Sequence, residues 1–388
     1  MRVLTLVPGL DPARGGLAAA ATNMVLAARQ ADVDSVVAAP DPGDTARAFV
    51  DELEAAGAKV HTSPTLRWPK EVAYRWGLSP AQAVWAIRNA ADFDLIHVHG
   101  VWGVGPLTGL AAAAIARKPL VVTAHESLTT FGIDNSRSVF RKRQKKLVKA
   151  LYLRFTTLFV LMSDLEALES LPPAIPRRTI HLPVVQANAP IPVAPPRGEG
   201  SELRVGILGR IDPKKNLDVL IDAMALLPDR VRLTVAGDGP ADLVAELRRR
   251  ADDMGLHDRI DWLGFVEPVH RPRLFGDLDI VAMPSSFEGF GLSAAEAMHH
   301  GVPVIVSDRT GIAEVITRHG GGKIVEPNAR AVMAAIDEFD RARASLAEIG
   351  ACGQRAATYE LSYDRVGEAL REAYANTVRT SSSSRPKL

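Results

Sequence analysis

The sequence predicts an α/β protein built from two doubly wound domains in succession. Three observations carry that reading. Short runs rich in Val, Ile and Leu alternate with longer Ala-rich stretches of helical periodicity, the pattern of parallel sheets covered on both faces. The alternation stops at the proline-rich "LPVVQANAPIPVAPPRGEGSE" (182–202), which has no apolar period, and then restarts. At 388 residues the chain is also longer than a single hydrophobic core usually supports.

Taken in order, the candidate strands of the first domain (1–182) are "RVLTLV" (2–7), "DSVVAA" (34–39), "DLIHVH" (94–99), "PLVVTAH" (119–125) and "TLFVLM" (157–162). Helical segments such as 16–30 and 106–117 lie between them. An interdomain linker occupies 183–202. The second domain (203–358) repeats the pattern with "LRVGILG" (203–209), "RLTVAG" (232–237), "RIDWLG" (259–264), "DIVAMPS" (279–285) and "PVIVSD" (303–308). A C-terminal helix over 359–378 is free to return to the first domain, and the Ser-rich tail 379–388 is expected to be disordered.

Composition narrows the function classes. Hydrophobic residues make up 47% and charged residues 23%, ordinary for a globular protein. The 46 Lys/Arg and 45 Asp/Glu leave a formal charge of +1, and aromatic residues total 5%, which argues against a nucleic-acid partner. The basic bias belongs to the first half, with 22 Lys/Arg against 17 Asp/Glu over 1–200 and 24 against 28 thereafter. A single cysteine, Cys352, excludes an intramolecular disulfide and fits a reducing cytoplasm. "MRVLTLVPGL" reads as a first strand rather than a signal peptide, and no apolar run approaches the ~20 residues of a membrane span.

In doubly wound sheets ligands bind outside the carboxyl ends of the strands, which turns a list of residues into a test of position. The Asp-x-Asp triplets at 32–34, 92–94 and 277–279 resemble metal motifs but start strands, at the wrong end. His97 and His99 share a face of their strand, a spacing that can ligate zinc, yet no third or fourth ligand is evident. At the correct ends, Gly15 and Gly16 open the first helix, where paired glycines let backbone N–H groups approach an anion. His125 ends the fourth strand. In "LGRIDPKKN", Arg210 and Lys215 suit a diphosphate, one as a fork and one as a point charge. Gly237 and Gly239 in "VAGDGP" permit a tight turn or a close ligand. In "PSSFEGFGLSAAEAMHHGVPVIVSD", Glu288 sits in a Gly-rich loop and Glu296 one turn inside a helix beginning near Leu292. Two carboxylates flanking a helix N-terminus can hold hydroxyls on either side of a phosphate.

The motifs "GRIDPKKN", "VAGDGP" and "PSSFEGFGLSAAEAMHHGVPVI", with the Glu-x7-Glu pair Glu288 and Glu296, resemble those of the family 4 retaining glycosyltransferases of GT-B fold. The likeness is strong over 203–330 and continues collinearly in the first half through Gly15-Gly16, "HVHGVWG" and His125. It implies two Rossmann-like domains facing a cleft, with a nucleoside-diphosphate sugar as donor substrate held mainly by the second, no separate cofactor, and a glycan or lipid-linked acceptor at the first. By position, Arg210 and Lys215 would bind the pyrophosphate. Glu288 and the backbone of Phe290, Gly291 and Leu292 would hold the donor sugar and its phosphate. Glu296 would accept from the ribose hydroxyls, His125 would face the transferred sugar, and Gly16 would approach the phosphates. The chain departs from many relatives in carrying a single Gly311 in "TGIAEVI", and "HLPVVQANAP" where an Asn-Gly turn is frequent.

A retaining double displacement needs a nucleophilic carboxylate under the anomeric carbon, and no residue here can be named for it. The expectation is therefore a front-face, metal-independent transfer in which the departing phosphate takes the acceptor's proton. A sugar-nucleotide epimerase, a glycoside phosphorylase and a non-catalytic sugar-nucleotide binder remain as alternatives. One stretch lies outside these motifs: "FRKRQKKLVKALYLRF" (140–155), with seven basic residues and no acidic one. On a helix, Phe140, Leu147, Leu151 and Phe155 form a stripe expected to face inward. The basic residues of 137–154 then form either a solvated face or a docking surface for an anionic membrane, at the inner face of which the protein would work peripherally.

Overall fold

The computed structural model of the chain describes residues 1–11, 16–43, 47–66, 76–135, 138–184 and 202–383. Gly15, nearly all of the expected linker and the last five residues lie outside the described residues. The chain divides into two compact units, Met1–Pro183 with Ser362–Leu388, and Val184–Leu361.

The first unit is a seven-stranded sheet: β1 (Arg2–Leu6), β2 (Asp34–Pro40), β3 (Lys59–Ser63), β4 (Leu95–His99), β5 (Leu120–Thr123), β6 (Leu158–Leu161) and β7 (Arg177–Thr179). Their order is β3-β2-β1-β4-β5-β6-β7, and every pair is parallel. The second unit holds β8 (Leu203–Leu208), β9 (Val231–Ala236), β10 (Ile260–Gly264), β11 (Ile280–Met283), β12 (Val304–Ser307) and β13 (Gly322–Val325) in the order β10-β9-β8-β11-β12-β13, again all parallel. Strand order reverses between β1 and β4 and between β8 and β11. The carboxyl ends of those strands are where this architecture opens a crevice for ligand.

The inner strands are the near-continuous apolar runs found in the sequence, because both of their faces are covered. Val3, Leu4 and Leu6 of β1, and Ile280, Val281 and Ala282 of β11, are essentially without solvent exposure. The strands without such a signature, β3, β7 and β13, all lie at sheet edges. "KVHTS", "RRT" and "GKIV" are half-exposed and carry charge, as edge strands do. The Asp-x-Asp residues hold strand starts: Asp94 accepts from the Arg2 backbone N–H at 2.7 Å and Asp279 from that of Arg204 at 2.8 Å.

The second unit ends with the helix Leu346–Glu360, two residues beyond the boundary set from sequence. The following helix, Tyr363–Ser383, packs on Gly16–Gln30 of the first unit. Gly367 permits the approach, since a Cβ there would lie 2.1 Å from the Ala27 carbonyl oxygen. The helix runs past residue 378, so the first residues of the expected disordered tail are helical.

One expectation fails clearly. In the helix Val139–Phe155 the stripe read as inward is exposed: Phe140 by 76%, Leu147 by 72% and Phe155 by 51%. The buried residue is Tyr152, with Val148 and Leu153 packed partly against the core. The helix is turned by about one residue, ~100°, from the orientation its apolar period suggests. Two of its lysines fix that turn, Lys145 Nζ donating to the Gly132 carbonyl at 2.6 Å and Lys149 Nζ to that of Leu128 at 2.8 Å.

Candidate active site

In the second unit the loop after β8 is stitched to the loop after β11. Asn216, in left-handed conformation at φ 51°, donates from Nδ2 to the Pro284 carbonyl at 2.9 Å and accepts from Ser286 Oγ at 2.8 Å. The Ser286 N–H donates to the Lys214 carbonyl at 2.8 Å. A third loop, after β12, pins the same segment: the Glu288 N–H donates to the Arg309 carbonyl, and the Gly311 N–H to the Glu288 carbonyl, each at 3.0 Å. The single Gly311 thus bonds directly to the Glu288 backbone.

This stitching brings Lys215 and Glu288 together. Lys215 Nζ lies 2.8 Å from Glu288 Oε1 and Lys214 Nζ lies 3.5 Å from it, with the Lys215 and Glu288 side chains nearly buried. Burial alone would raise the Glu288 carboxyl. The two ammonium groups outweigh it and hold the group below the usual carboxylate range. Glu296, eight residues further along and one turn inside the helix Leu292–His299, is treated differently. Arg271 Nη1 donates to both of its oxygens at 3.0 Å, yet burial still raises its carboxyl above the ordinary value.

Gly291 caps the helix Leu292–His299 at φ 103°. A Cβ there would sit 2.7 Å from Met283 Cε and 2.8 Å from Thr310 Cγ2, so this glycine is demanded by packing. Gly237 is likewise structural, because its Cβ would fall 1.9 Å from the Gly209 carbonyl oxygen. The Phe290 side chain is buried, its carbonyl accepting from the Ile312 N–H at 2.6 Å, and Leu292 opens the helix. Arg210 is not drawn into the Lys215 cluster. Its side chain is 65% exposed and pairs with Asp212 of its own loop at 3.3 Å.

In the first unit Gly16 is the first residue of Gly16–Gln30, and a Cβ there would meet nothing within 4 Å. Among the described residues nothing crowds a side chain at that position. His125, partly buried, shares a hydrogen bond of 3.0 Å between its Nε2 and His99 Nδ1. His97 bonds through Nδ1 to the Tyr374 hydroxyl at 2.7 Å and through Nε2 to Thr123 Oγ1 at 2.9 Å. Burial holds all three imidazoles neutral, bringing His97 and His125 down to about 3 and His99 well below its usual range. With both ring nitrogens committed, His97 has none for zinc. Among the described residues no group of three or more His, Cys, Asp or Glu side chains is arranged to hold a metal ion.

Lys214 and Arg271 join the site without having been singled out from sequence. Lys214 was visible inside "DPKKN" beside Lys215. Arg271 stands 25 residues before Glu296, and only the folded arrangement pairs them.

Doubly wound sheets of this topology serve many chemistries, and it is comparison with known proteins that names the class. Residues 197–354 match the family described as Glycosyl transferases group 1, and residues 14–169 match Glycosyltransferase Family 4. The chain belongs to the family 4 glycosyltransferases and has their GT-B fold. It is 33% identical over 236 residues to a D-inositol 3-phosphate glycosyltransferase of Xylanimonas cellulosilytica, covering 56% of this chain and 53% of that one. It is 32% identical over 186 residues to the lipopolysaccharide core biosynthesis mannosyltransferase LpsB of Rhizobium meliloti, covering 45% and 52%. The chain therefore spans about half the length of these curated relatives. Among solved structures, Anabaena HepE in complex with UDP-glucose superposes with a TM-score of 0.75 at 22% identity, over 97% of this chain and all of that one.

Proposed function

We propose that the protein is a retaining glycosyltransferase that moves a hexosyl-type sugar from a nucleoside-diphosphate sugar to a glycan or lipid-linked acceptor, in the assembly of bacterial surface or exported polysaccharide. The observation that carries the proposal is the Lys215–Glu288 pair, a nearly buried cation and carboxylate at the carboxyl ends of β8 and β11. A developing diphosphate charge is stabilised by a preorganised cation in a place with little water. Lys215 supplies that cation, with Arg210 reaching from the same loop. Glu288, kept ionised by its lysines, accepts from hydroxyls of the donor sugar, and the N-terminus of Leu292–His299 faces its phosphate. Glu296 accepts from the ribose hydroxyls, and His125 contacts the transferred sugar. The leaving phosphate takes the acceptor's proton in a front-face reaction that asks for no divalent ion. HepE binds UDP-glucose, and the Rhizobium relative is a mannosyltransferase, which supports a nucleotide hexose as donor.

The test is a panel of UDP-, GDP- and ADP-hexoses read by nucleoside-diphosphate release, with and without EDTA. Release from one donor, retained in EDTA and lost in Lys215→Ala, is expected. Loss in EDTA with recovery on adding Mn²⁺ would overturn the metal-independent scheme, and normal turnover by Lys215→Ala would overturn the site.

The membrane reading gains support from the turned helix Val139–Phe155. Phe140, Leu147 and Phe155 stand exposed with Arg141, Arg143, Lys146 and Arg154 on the same helix. Apolar side chains that can enter the headgroup layer, with flanking cations worth about 1 kcal/mol each at an anionic surface, fit peripheral docking better than a solvated face. Among the described residues no helix is long and apolar enough to cross a membrane. Flotation with phosphatidylglycerol vesicles should be lost when Phe140 and Leu147 become Ser. Flotation equal to wild type would end this assignment.

A further inference from the structure

Strand β5 ends in strain. His125 and Glu126 follow it at φ 49° and 65°, two consecutive non-glycine residues in the left-handed region. One such residue is uncommon, and a pair persists only where the surroundings hold it. The turn is closed locally by Thr129, whose N–H and Oγ1 both donate to the Glu126 carbonyl, at 3.1 and 2.7 Å. Those contacts secure the carbonyl side of Glu126. Its amide is held from elsewhere, by Glu166.

Glu166 has no solvent exposure and lies in the helix Asp164–Ser170, which follows the neighbouring strand β6. Its Oε1 accepts from the Glu126 N–H at 2.7 Å and its Oε2 from the Met162 N–H at 2.9 Å. One carboxyl group therefore ties together the ends of β5 and β6. The local sequence "SDLE" reads as a capping box, in which the glutamate would return to the N–H of Ser163. Only half of that box forms. Ser163 Oγ accepts from the Glu166 N–H at 3.0 Å, while the glutamate side chain is diverted to the two strand ends. A buried carboxyl with a cheaper local use available has been committed to the backbone beside His125.

We propose that Glu166 is a positioning residue for His125. By tying the Glu126 amide it keeps the left-handed pair in place, so that the imidazole meets His99 through Nε2 and presents its Nδ1 edge to the sugar. This rests on the contact between His125 and the transferred sugar proposed above. Glu166 works through the backbone and touches no substrate.

A double-mutant cycle tests it with the donor that the panel selects, at pH 8. Glu166→Gln keeps the shape of the side chain but turns an NH₂ group toward one of the two N–H donors. It is expected to lower kcat roughly tenfold, the scale of a small misplacement of a reacting group, with donor KM little changed. Combined with His125→Ala, it should add no further loss, because the group it positions is gone. Glu126→Gly in the Glu166→Gln background should restore much of kcat, since glycine adopts φ near 65° without strain. Multiplying losses in the double variant, or full kcat in a folded Glu166→Gln, would overturn the proposal. If His125→Ala is itself fully active, the sugar contact fails, and a second readout still decides the positioning. With ¹⁵N-histidine labelling, His125 should show one fixed neutral tautomer in the wild type and averaged nitrogens in Glu166→Gln; identical spectra would refute it. Glu166→Asp, which keeps the charge but withdraws from one N–H, serves both readouts if the glutamine variant does not fold.

Discussion

Glu166 also predicts how the first unit responds to acid. Burial raises its carboxyl to about 7, with the Met162 and Glu126 N–H donors pulling in the opposite direction. Between the ordinary carboxylate value and 7 the folded state therefore holds a proton that the unfolded chain has released, and this group alone makes the fold more stable as pH falls. His97 acts with the opposite sign. Buried and neutral down to about 3, it stays deprotonated in the fold while the unfolded imidazole gains a proton below ~6.5, so its contribution is complete above that value and is lost on acidification. From pH 7.5 to 5.0, at ~1.4 kcal/mol per unit, His97 should cost about 2 kcal/mol and Glu166 should return a similar amount, about 2 kcal/mol. His99 and His125 add to the loss in the same direction. In Glu166→Gln the returning term disappears. Its unfolding free energy should fall by about 2 kcal/mol more than that of the wild type over the same interval. Urea unfolding followed by tryptophan fluorescence measures this in a Trp262→Phe background, because the other four tryptophans lie at or before Trp102. The lost hydrogen bond of the glutamine shifts both curves at every pH, so only their divergence matters. Parallel curves would show that Glu166 is not titrating as its burial requires.

Three further outcomes follow from the site. Gly237→Ala forces a Cβ against the Gly209 carbonyl and should cost ~3 kcal/mol or more, whereas Gly16→Ala, facing open space, should leave thermal stability nearly unchanged and raise donor KM; a Gly16→Ala protein of wild-type KM would remove Gly16 from the donor site. Arg271→Met strips Glu296 of its cation, so its carboxyl rises further and UDP or GDP titrated calorimetrically should bind more weakly at pH 6 than at pH 8; equal loss at both values would deny that Glu296 works ionised. Lys215→Met leaves Glu288 buried with only the more distant Lys214, and should destabilise the second unit by more than Lys215→Met with Glu288→Gln does; denaturation midpoints that simply add would mean the pair is not coupled.

What could be read from sequence was what burial on both faces writes into it. The inner strands are apolar runs, and the rule that ligands sit at their carboxyl ends, with the family resemblance, picked out the loops that carry the candidate residues. Strands β3, β7 and β13, all half-solvated edge strands, carry no such run, whereas the fourth edge strand, β10, is half-exposed too but was marked by "RIDWLG". The helix Val139–Phe155 misled for a related reason. Its apolar stripe was assigned to the core because apolar residues usually go there, yet Tyr152 and the stems of Lys145 and Lys149 supply its inner face. In the site, Lys215 and Glu288 were legible as residue types on loops of one sheet, but their direct pairing was not. Arg271 and Glu166 were invisible, since each acquires its role from a partner 25 or 40 residues away.

The buried carboxyls at the candidate site of the second unit and the buried groups around His125 in the first are handled by opposite means. The second unit neutralises charge with charge: Glu288 faces two lysines, and Glu296 an arginine. Such pairs cost solvation that their attraction only partly repays, so they are poor devices for stability alone. They would make sense where an anion is to arrive: the proposed diphosphate, entering beside Lys215, would find a cation already desolvated and leave Glu288 with Lys214 as its remaining partner. The first unit buries groups that carry no charge near neutral pH or are met by backbone dipoles, as with His97, His99 and Glu166. With Nε2 held by His99, a neutral His125 would offer the proposed sugar one hydrogen bond, through Nδ1, without repelling the cations that would meet its diphosphate. On the proposed function, this division would suit the second unit to an arriving negative charge and the first to holding a polar, uncharged group.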